Sequence, residues 1–65
     1  MTRYAAGVKE NTRHWYVAVD GTPTLSENSG EYRLYLTYGQ ARSASHRLAH
    51  LLKPPVEPFV RKIET

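Results

Sequence analysis

The segment from residue 31 to residue 64 constrains the fold of this chain more than any other part of the sequence. Residues 31–37 (Glu-Tyr-Arg-Leu-Tyr-Leu-Thr) and residues 57–64 (Glu-Pro-Phe-Val-Arg-Lys-Ile-Glu) both alternate in the manner of β-strands. Between them, Thr37 with Gln40 three residues later fits a capping box at a helix start, and the proline pair after Lys53 cannot continue that helix. The sequence therefore predicts a strand, a helix and a second strand in succession.

The predicted helix has two chemically different faces. Projected at roughly 100° per residue, its apolar and small residues share one side and its polar residues share the other. The first set is Ala41, Ala44, Ser45, Leu48, Ala49, Leu51 and Leu52. The second set is Arg42, Ser43, His46, Arg47, His50 and Lys53. Residues 38–53 contain no aspartate or glutamate, so positive charge is concentrated on the polar side of this helix.

Residues 13–19 (Arg-His-Trp-Tyr-Val-Ala-Val) form the other clear strand, because aromatic and β-branched residues dominate them. Side chains alternate between the two sides of a strand. The expected core side of this strand is Trp15, Val17 and Val19, and the opposite side includes His14 and Tyr16. In the strand at 31–37, the same rule places Tyr32, Leu34 and Leu36 inward and Arg33 and Tyr35 outward.

Two segments give weaker signals. Residues 1–10 are predicted as a frayed or edge strand, because Gly7 and two adjacent alanines have low strand propensity. Residues 20–30 are almost entirely turn and loop residues and are predicted as a mobile loop.

These elements assemble most simply into an α+β domain of two layers. One amphipathic helix packs on a three- or four-stranded, mainly antiparallel sheet in the order (β)ββαβ, and residues 1–65 form a single small domain. Strands 13–19 and 31–37 would form an antiparallel hairpin, and the last strand would return beside 13–19, which becomes central. The sequence does not decide which side of the strand at 57–64 points to the core. No other element is predicted to cover the second face of the sheet.

Composition narrows the class of protein. The 65 residues include no cysteine, which excludes disulfides and thiolate metal sites, and 40% are hydrophobic, as in globular domains. No long apolar run suggests a membrane span or signal peptide, so a cytoplasmic protein is expected. The net charge of +3 favours an acidic partner, either a protein surface or DNA.

The sequence offers little for catalysis, and we expect neither enzymatic activity nor a cofactor. His46 and His50 have the spacing of two metal ligands on a helix, but Arg47 lies where a zincin motif would have glutamate. A solvated pair of histidines explains this spacing better than a metal site. No serine has a histidine–carboxylate partner pattern, and no glycine-rich phosphate loop is present.

Two surfaces are the candidates for partner binding. The uncovered sheet face would present His14, Tyr16, Arg33 and Tyr35, together with the basic pair Arg61 and Lys62 of the last strand. Tyrosine and arginine are frequent at binding hot spots and also suit stacking on bases. The helix stripe of Arg42, His46, Arg47 and His50 would supply electrostatic support.

The pattern formed by residues 15–19, 32–42 and 59–63 resembles that of very small bacteriophage host-interaction proteins, such as the phage T7 inhibitor of host RNA polymerase. The resemblance covers residues 13–64 in the order strand, strand, helix, strand, and no specific motif carries it. It implies binding to a host protein through basic residues of the last strand, to which Arg61 and Lys62 correspond. The helix is acidic in that inhibitor and basic here, so the resemblance does not imply the same target.

The leading hypothesis is a non-enzymatic protein of phage or prophage type, acting in the host cytoplasm. It would inhibit or modulate a host machine, such as RNA polymerase or a CRISPR or nuclease defence complex, by binding an acidic surface of the protein or protein–nucleic acid complex. One alternative is a small β-sheet DNA-binding module similar to the arm-binding domains of integrases. Another is a structural protein that associates with itself, for example as a homodimer.

Overall fold

The computed structural model describes residues 1–28, 30–53 and 55–65, which form one helix and five strands. In chain order these are β1 (Thr2–Glu10), β2 (Arg13–Val17), β3 (Pro23–Thr24), β4 (Leu34–Tyr35), α1 (Tyr38–Leu52) and β5 (Glu57–Glu64). All strand pairs are antiparallel, and the helix packs on one face of the sheet. The predicted two-layer α+β fold is confirmed.

The N-terminal strand β1 is the centre of the sheet. β5 pairs with it along one edge, with Thr2 opposite Glu64 and Lys9 opposite Glu57. β2 and β4 share its other edge, β2 beside residues 7–10 and β4 beside residues 4–5. The predictions that residues 1–10 form a frayed or edge strand and that 13–19 is central are therefore wrong. Small residues suit this position because they leave room for large side chains on both neighbouring strands.

The hairpin predicted between residues 13–19 and 31–37 is also wrong. β2 forms its hairpin with β1, through a turn in which Asn11 adopts a positive φ of 56°. In the described residues, the backbone pairing of 13–19 with the later segment consists of a bridge between Ala18 and Tyr32 and a 2.8 Å hydrogen bond from the Arg33 amide to the Val17 carbonyl. The regular strand predicted at 31–37 is reduced to the two residues of β4.

The segment predicted as a loop at 20–30 adds a strand to the sheet, although Ser29 lies outside the described residues. The turn expected at Asp20-Gly21 is present, with Gly21 at a φ of 92° and its amide donating to the Ala18 carbonyl. β3 follows and pairs with β2, placing Thr24 opposite Tyr16. Val19, expected in the core, is exposed beside this turn.

The helix begins and ends where the sequence indicates. Thr37 is the N-cap, and its hydroxyl oxygen accepts a 3.2 Å hydrogen bond from the Gln40 amide. Lys53 caps the C-terminus with a φ of 64°, and its amide donates to the Ala49 carbonyl. Pro55 follows as a residue that cannot extend the helix. The predicted capping by Thr37 is confirmed.

The core lies between the helix and the sheet. Its buried residues are Ala6, Val8, Val17, Ala41, Ala44 and Leu48, and Trp15, Tyr35 and Val60 are among those that pack against them. Ala41 and Ala44 are small, so the first half of the helix lies close to the strands. The position of Val60 places Lys62 on the helix side of β5, and Phe59, Arg61 and Ile63 on the opposite side.

Candidate partner-binding surface

The polar side of α1 presents the basic residues that the sequence singled out. Arg42, His46, Arg47 and His50 are all exposed. Among the residues that the structure describes, the two ion pairs involve Arg61 and Lys62, and neither uses a residue of the helix. A carboxylate of a partner can therefore approach the helix without first displacing one from this chain.

A cleft separates the helix from β4 and the turn after β2. In its deeper half, of about 250 Å³, Arg33 and Tyr35 lie on the sheet side and Arg47, Leu48 and Leu51 lie on the helix side. Its shallower half continues past Leu34 and Leu36 and shares Tyr35 and Arg47 with the first. We call these two adjoining depressions together the α1–β4 cleft.

Three leucines make the rim of the α1–β4 cleft apolar. Leu34, Leu36 and Leu51 are 38%, 64% and 65% exposed, although the sequence pattern placed all three in the core. For Leu34 and Leu36 the prediction was wrong because Tyr35, which lies between them, points to the helix and packs against the core. Because Tyr35 is as large as Leu34 and Leu36, their alternation along the chain does not reveal whether the tyrosine or the two leucines are buried.

Arg33 and Tyr35 are therefore not on the uncovered sheet face, as the sequence suggested. Tyr35 is half-buried beneath the helix, where it lines both halves of the cleft. Arg33 is exposed, and its guanidinium donates a 2.7 Å hydrogen bond to the Val19 carbonyl. This bond holds the positive charge of Arg33 at the cleft, on the wall opposite Arg47.

Tyr16 does lie on the sheet face opposite the helix, as predicted, but other side chains cover it completely. Tyr32 stacks on its ring at 5.0 Å, Phe59 meets it edge-on at 5.6 Å, and the Arg61 guanidinium lies 5.4 Å from its centroid. Its exposed fraction is 0%. The prediction that this sheet face is uncovered is wrong at Tyr16, because the segment after β3 folds over it.

The hydroxyl of Tyr16 donates a 3.4 Å hydrogen bond to the Glu27 carboxylate, which also forms a 3.6 Å ion pair with Arg61. Burial raises the pKa of Tyr16 above its ordinary value, the positive charge of Arg61 acts in the opposite direction, and Glu27 raises it further. Tyr16 is thus a neutral, internal residue near neutral pH, and it supports the fold of this face.

The other predicted residues are divided between the two sides of the sheet. His14 is half-buried against Phe59, with ring centroids 5.7 Å apart, and shares its face with Arg61. Lys62 lies on the helix side and forms a 3.8 Å ion pair with Glu64. The structure therefore does not bring Arg61 and Lys62 together with Arg33 and Tyr35 in one surface.

The potential metal ligands on the helix are limited to one pair. His46 and His50 are both exposed and lie one helical turn apart. In the described part of the chain, no cluster of three or more His, Cys, Asp or Glu residues is close enough to hold a metal ion. Across the same residues, no helix is both long and apolar enough to cross a membrane.

The fold and the site together define a small α+β chain with a basic helix beside an apolar cleft. No protein-family model, curated protein or solved structure matches it.

Proposed function

We propose that the chain is a non-enzymatic binding protein that attaches to an acidic protein surface through the basic side of α1. The observation that carries this proposal is the set of exposed basic residues on a helix with no acidic residue between positions 38 and 53. Such charges attract an oppositely charged partner over several ångströms and disfavour basic ones. In line with the resemblance to phage inhibitors, the partner would be a component of a host macromolecular machine.

Protein fits this surface better than DNA. Arg47 lines the same cleft as the exposed Leu36 and Leu51, which supply apolar contact area and cannot stack on bases. Of the tyrosines near this surface, Tyr35 is half-buried, and Tyr38 at the start of the helix is 54% exposed and is the one ring that a base would stack on. A mixed basic and apolar surface is typical of an interface with a protein that has acidic and apolar side chains of its own.

The test is affinity capture from a bacterial lysate, with and without nuclease treatment, comparing two charge-reversed variants. One carries Arg42→Glu and Arg47→Glu on the helix, and the matched control carries Lys9→Glu and Arg13→Glu at the end of the β1–β2 hairpin. All four residues are exposed, and both variants change the net charge equally. The captured partner is then titrated with each purified variant at two salt concentrations.

We expect the helix variant to bind its partner at least about tenfold more weakly, since opposed like charges cost several kcal/mol. The control variant should bind like the wild type. Equal losses in the two variants would contradict a specific role of the helix. A capture that nuclease abolishes, together with binding to random duplex that falls steeply with salt, would show a nucleic-acid partner instead.

A further inference from the structure

The α1–β4 cleft combines three exposed leucines with two arginines on opposite walls. Leu51 is exposed in its deeper half, Leu34 and Leu36 are exposed in its shallower half, and Tyr35 lines both halves. Exposed apolar side chains are ordinary when they are scattered, but these three line the same cleft. The cleft therefore offers apolar contact at the place where the two guanidinium groups face it.

Both arginines are available to a carboxylate. Arg33 uses one nitrogen on the Val19 carbonyl, and Arg47 is exposed on the helix. Within the described residues, neither forms an ion pair with an acidic side chain. The pKa of Asp20 is lowered first by the hydrogen bond from the Thr22 hydroxyl, which lies 2.6 Å from the carboxylate, and last by the positive charge of Arg33.

We propose that the α1–β4 cleft binds a peptide segment of the partner in which a carboxylate stands beside a large apolar side chain. Charge complementarity selects this occupant: two arginines repel a basic segment, and the apolar rim gains little from a segment that is acidic but wholly polar. Guanidinium groups also hold carboxylates in a fixed two-point geometry. This proposal rests on the proposed function, because it names the part of the acidic partner that enters the cleft.

The experiment uses the full chain labelled with nitrogen-15 and three short synthetic peptides. The first alternates leucine with glutamate, the second has serine in place of leucine, and the third has lysine in place of glutamate. Backbone amide shifts are followed by NMR during titration of each peptide. The Leu36→Ser variant tests the cleft, and Leu25→Ser is its matched control, because Leu25 is 49% exposed and lies outside the cleft.

The leucine–glutamate peptide should shift the amides of Tyr35, Leu36, Arg47 and Leu51 in a saturable manner. The serine peptide should bind at least about tenfold more weakly, because burying one leucine side chain contributes roughly a tenfold gain in affinity or more. The lysine peptide should also bind at least about tenfold more weakly, because the two arginines repel its positive charges. The Leu36→Ser variant should bind the leucine–glutamate peptide more weakly by a similar factor, and the Leu25→Ser variant should bind it with unchanged affinity. Both substituted leucines are exposed, so neither variant is expected to unfold the chain.

Three outcomes would overturn the proposal. The serine peptide would bind as well as the leucine peptide, or the shifts would lie on the sheet face around Phe59, or no peptide would bind at millimolar concentration. If lysate capture still depends on Arg42 and Arg47 in any of these cases, the cleft assignment fails and the proposed function stands. If capture is independent of those arginines as well, both proposals fail.

Discussion

Gly7→Ala tests the central position of β1 more directly than any other substitution. A Cβ atom at this position would lie 2.6 Å from Cζ of Phe59 on β5 and 2.6 Å from the carbonyl oxygen of Trp15 on β2. Ordinary contacts at such an atom begin at about 3.4 Å, so the neighbours would have to move by about 0.8 Å. The ring of Phe59 can turn away, but the Trp15 carbonyl belongs to the backbone of a paired strand.

The expected effect is a loss of stability of about 1–3 kcal/mol, the usual cost of inserting a methyl group into a close-packed site. Elsewhere in a strand, the same substitution would be expected to stabilise by about 0.5–1 kcal/mol, because alanine restricts the unfolded chain. A domain of 65 residues has a total stability of roughly 3–10 kcal/mol. The melting temperature should therefore fall by about 4–8 °C for each kcal/mol lost.

Urea denaturation followed by the fluorescence of Trp15, the single tryptophan, measures the change. Gly39→Ala is the control, because among the described residues no atom outside its chain neighbours and the adjacent helix backbone lies within 4 Å of the position its Cβ would take, and it should be neutral or stabilising. In a Phe59→Ala background the cost of Gly7→Ala should fall by at least about 0.5 kcal/mol but should not vanish, since the Trp15 carbonyl remains. If Gly7→Ala is as stable as the wild type, the β5–β1–β2 packing described above is incorrect.

Two further substitutions test the buried tyrosine and the helix start. Tyr16→Phe should make unfolding less sensitive to alkaline pH. The pKa of Tyr16 is raised in the folded chain, so this residue contributes stability that is fully present below its ordinary pKa near 10 and is lost as the pH rises through its folded-state pKa. In melting curves above about pH 10, the wild type should therefore lose stability more steeply with pH than the variant. Equal slopes for the two proteins would argue against the burial of this phenol. Thr37→Ala should cost about 0.5–2 kcal/mol in chemical denaturation, because the Gln40 amide loses its acceptor, and Thr37→Asp should retain most of that stability. A negligible loss in the alanine variant would show that the cap is not formed.

The candidate site was predictable only in part. The exposed basic side of the helix followed from residue type and helical period, because positions 42, 46 and 50 lie on one stripe whatever the strands do. The α1–β4 cleft did not follow, because it depends on whether Tyr35 or its leucine neighbours point inward. Both sets are large and apolar, so only the packing of Tyr35 under the helix decides the choice.

On the other face of the sheet, the position of Tyr16 was predictable from the sequence but its burial was not. Its place opposite the helix follows from alternation with Trp15 and Val17. Its burial does not, because it needs Phe59 and Arg61 from β5 and Glu27 and Tyr32 from the segment after β3. Glu27 and Tyr32 therefore help to cover a face that the strand pattern alone leaves open.

The sequence by itself determined the helix, its cap and its two faces, and with them the α+β class, because those features depend on residues within a few positions of one another. Only the tertiary structure decided which strand is central. Gly7 and the alanines beside it reduce the intrinsic preference of β1 for a strand, and on propensity alone this segment belongs at an edge. In the folded chain, the same small residues allow β2 and β5 to close on both sides of β1 and bring Tyr16 and Phe59 together over Gly7. Burial and pairing with distant strands outweigh a local propensity of less than about 1 kcal/mol.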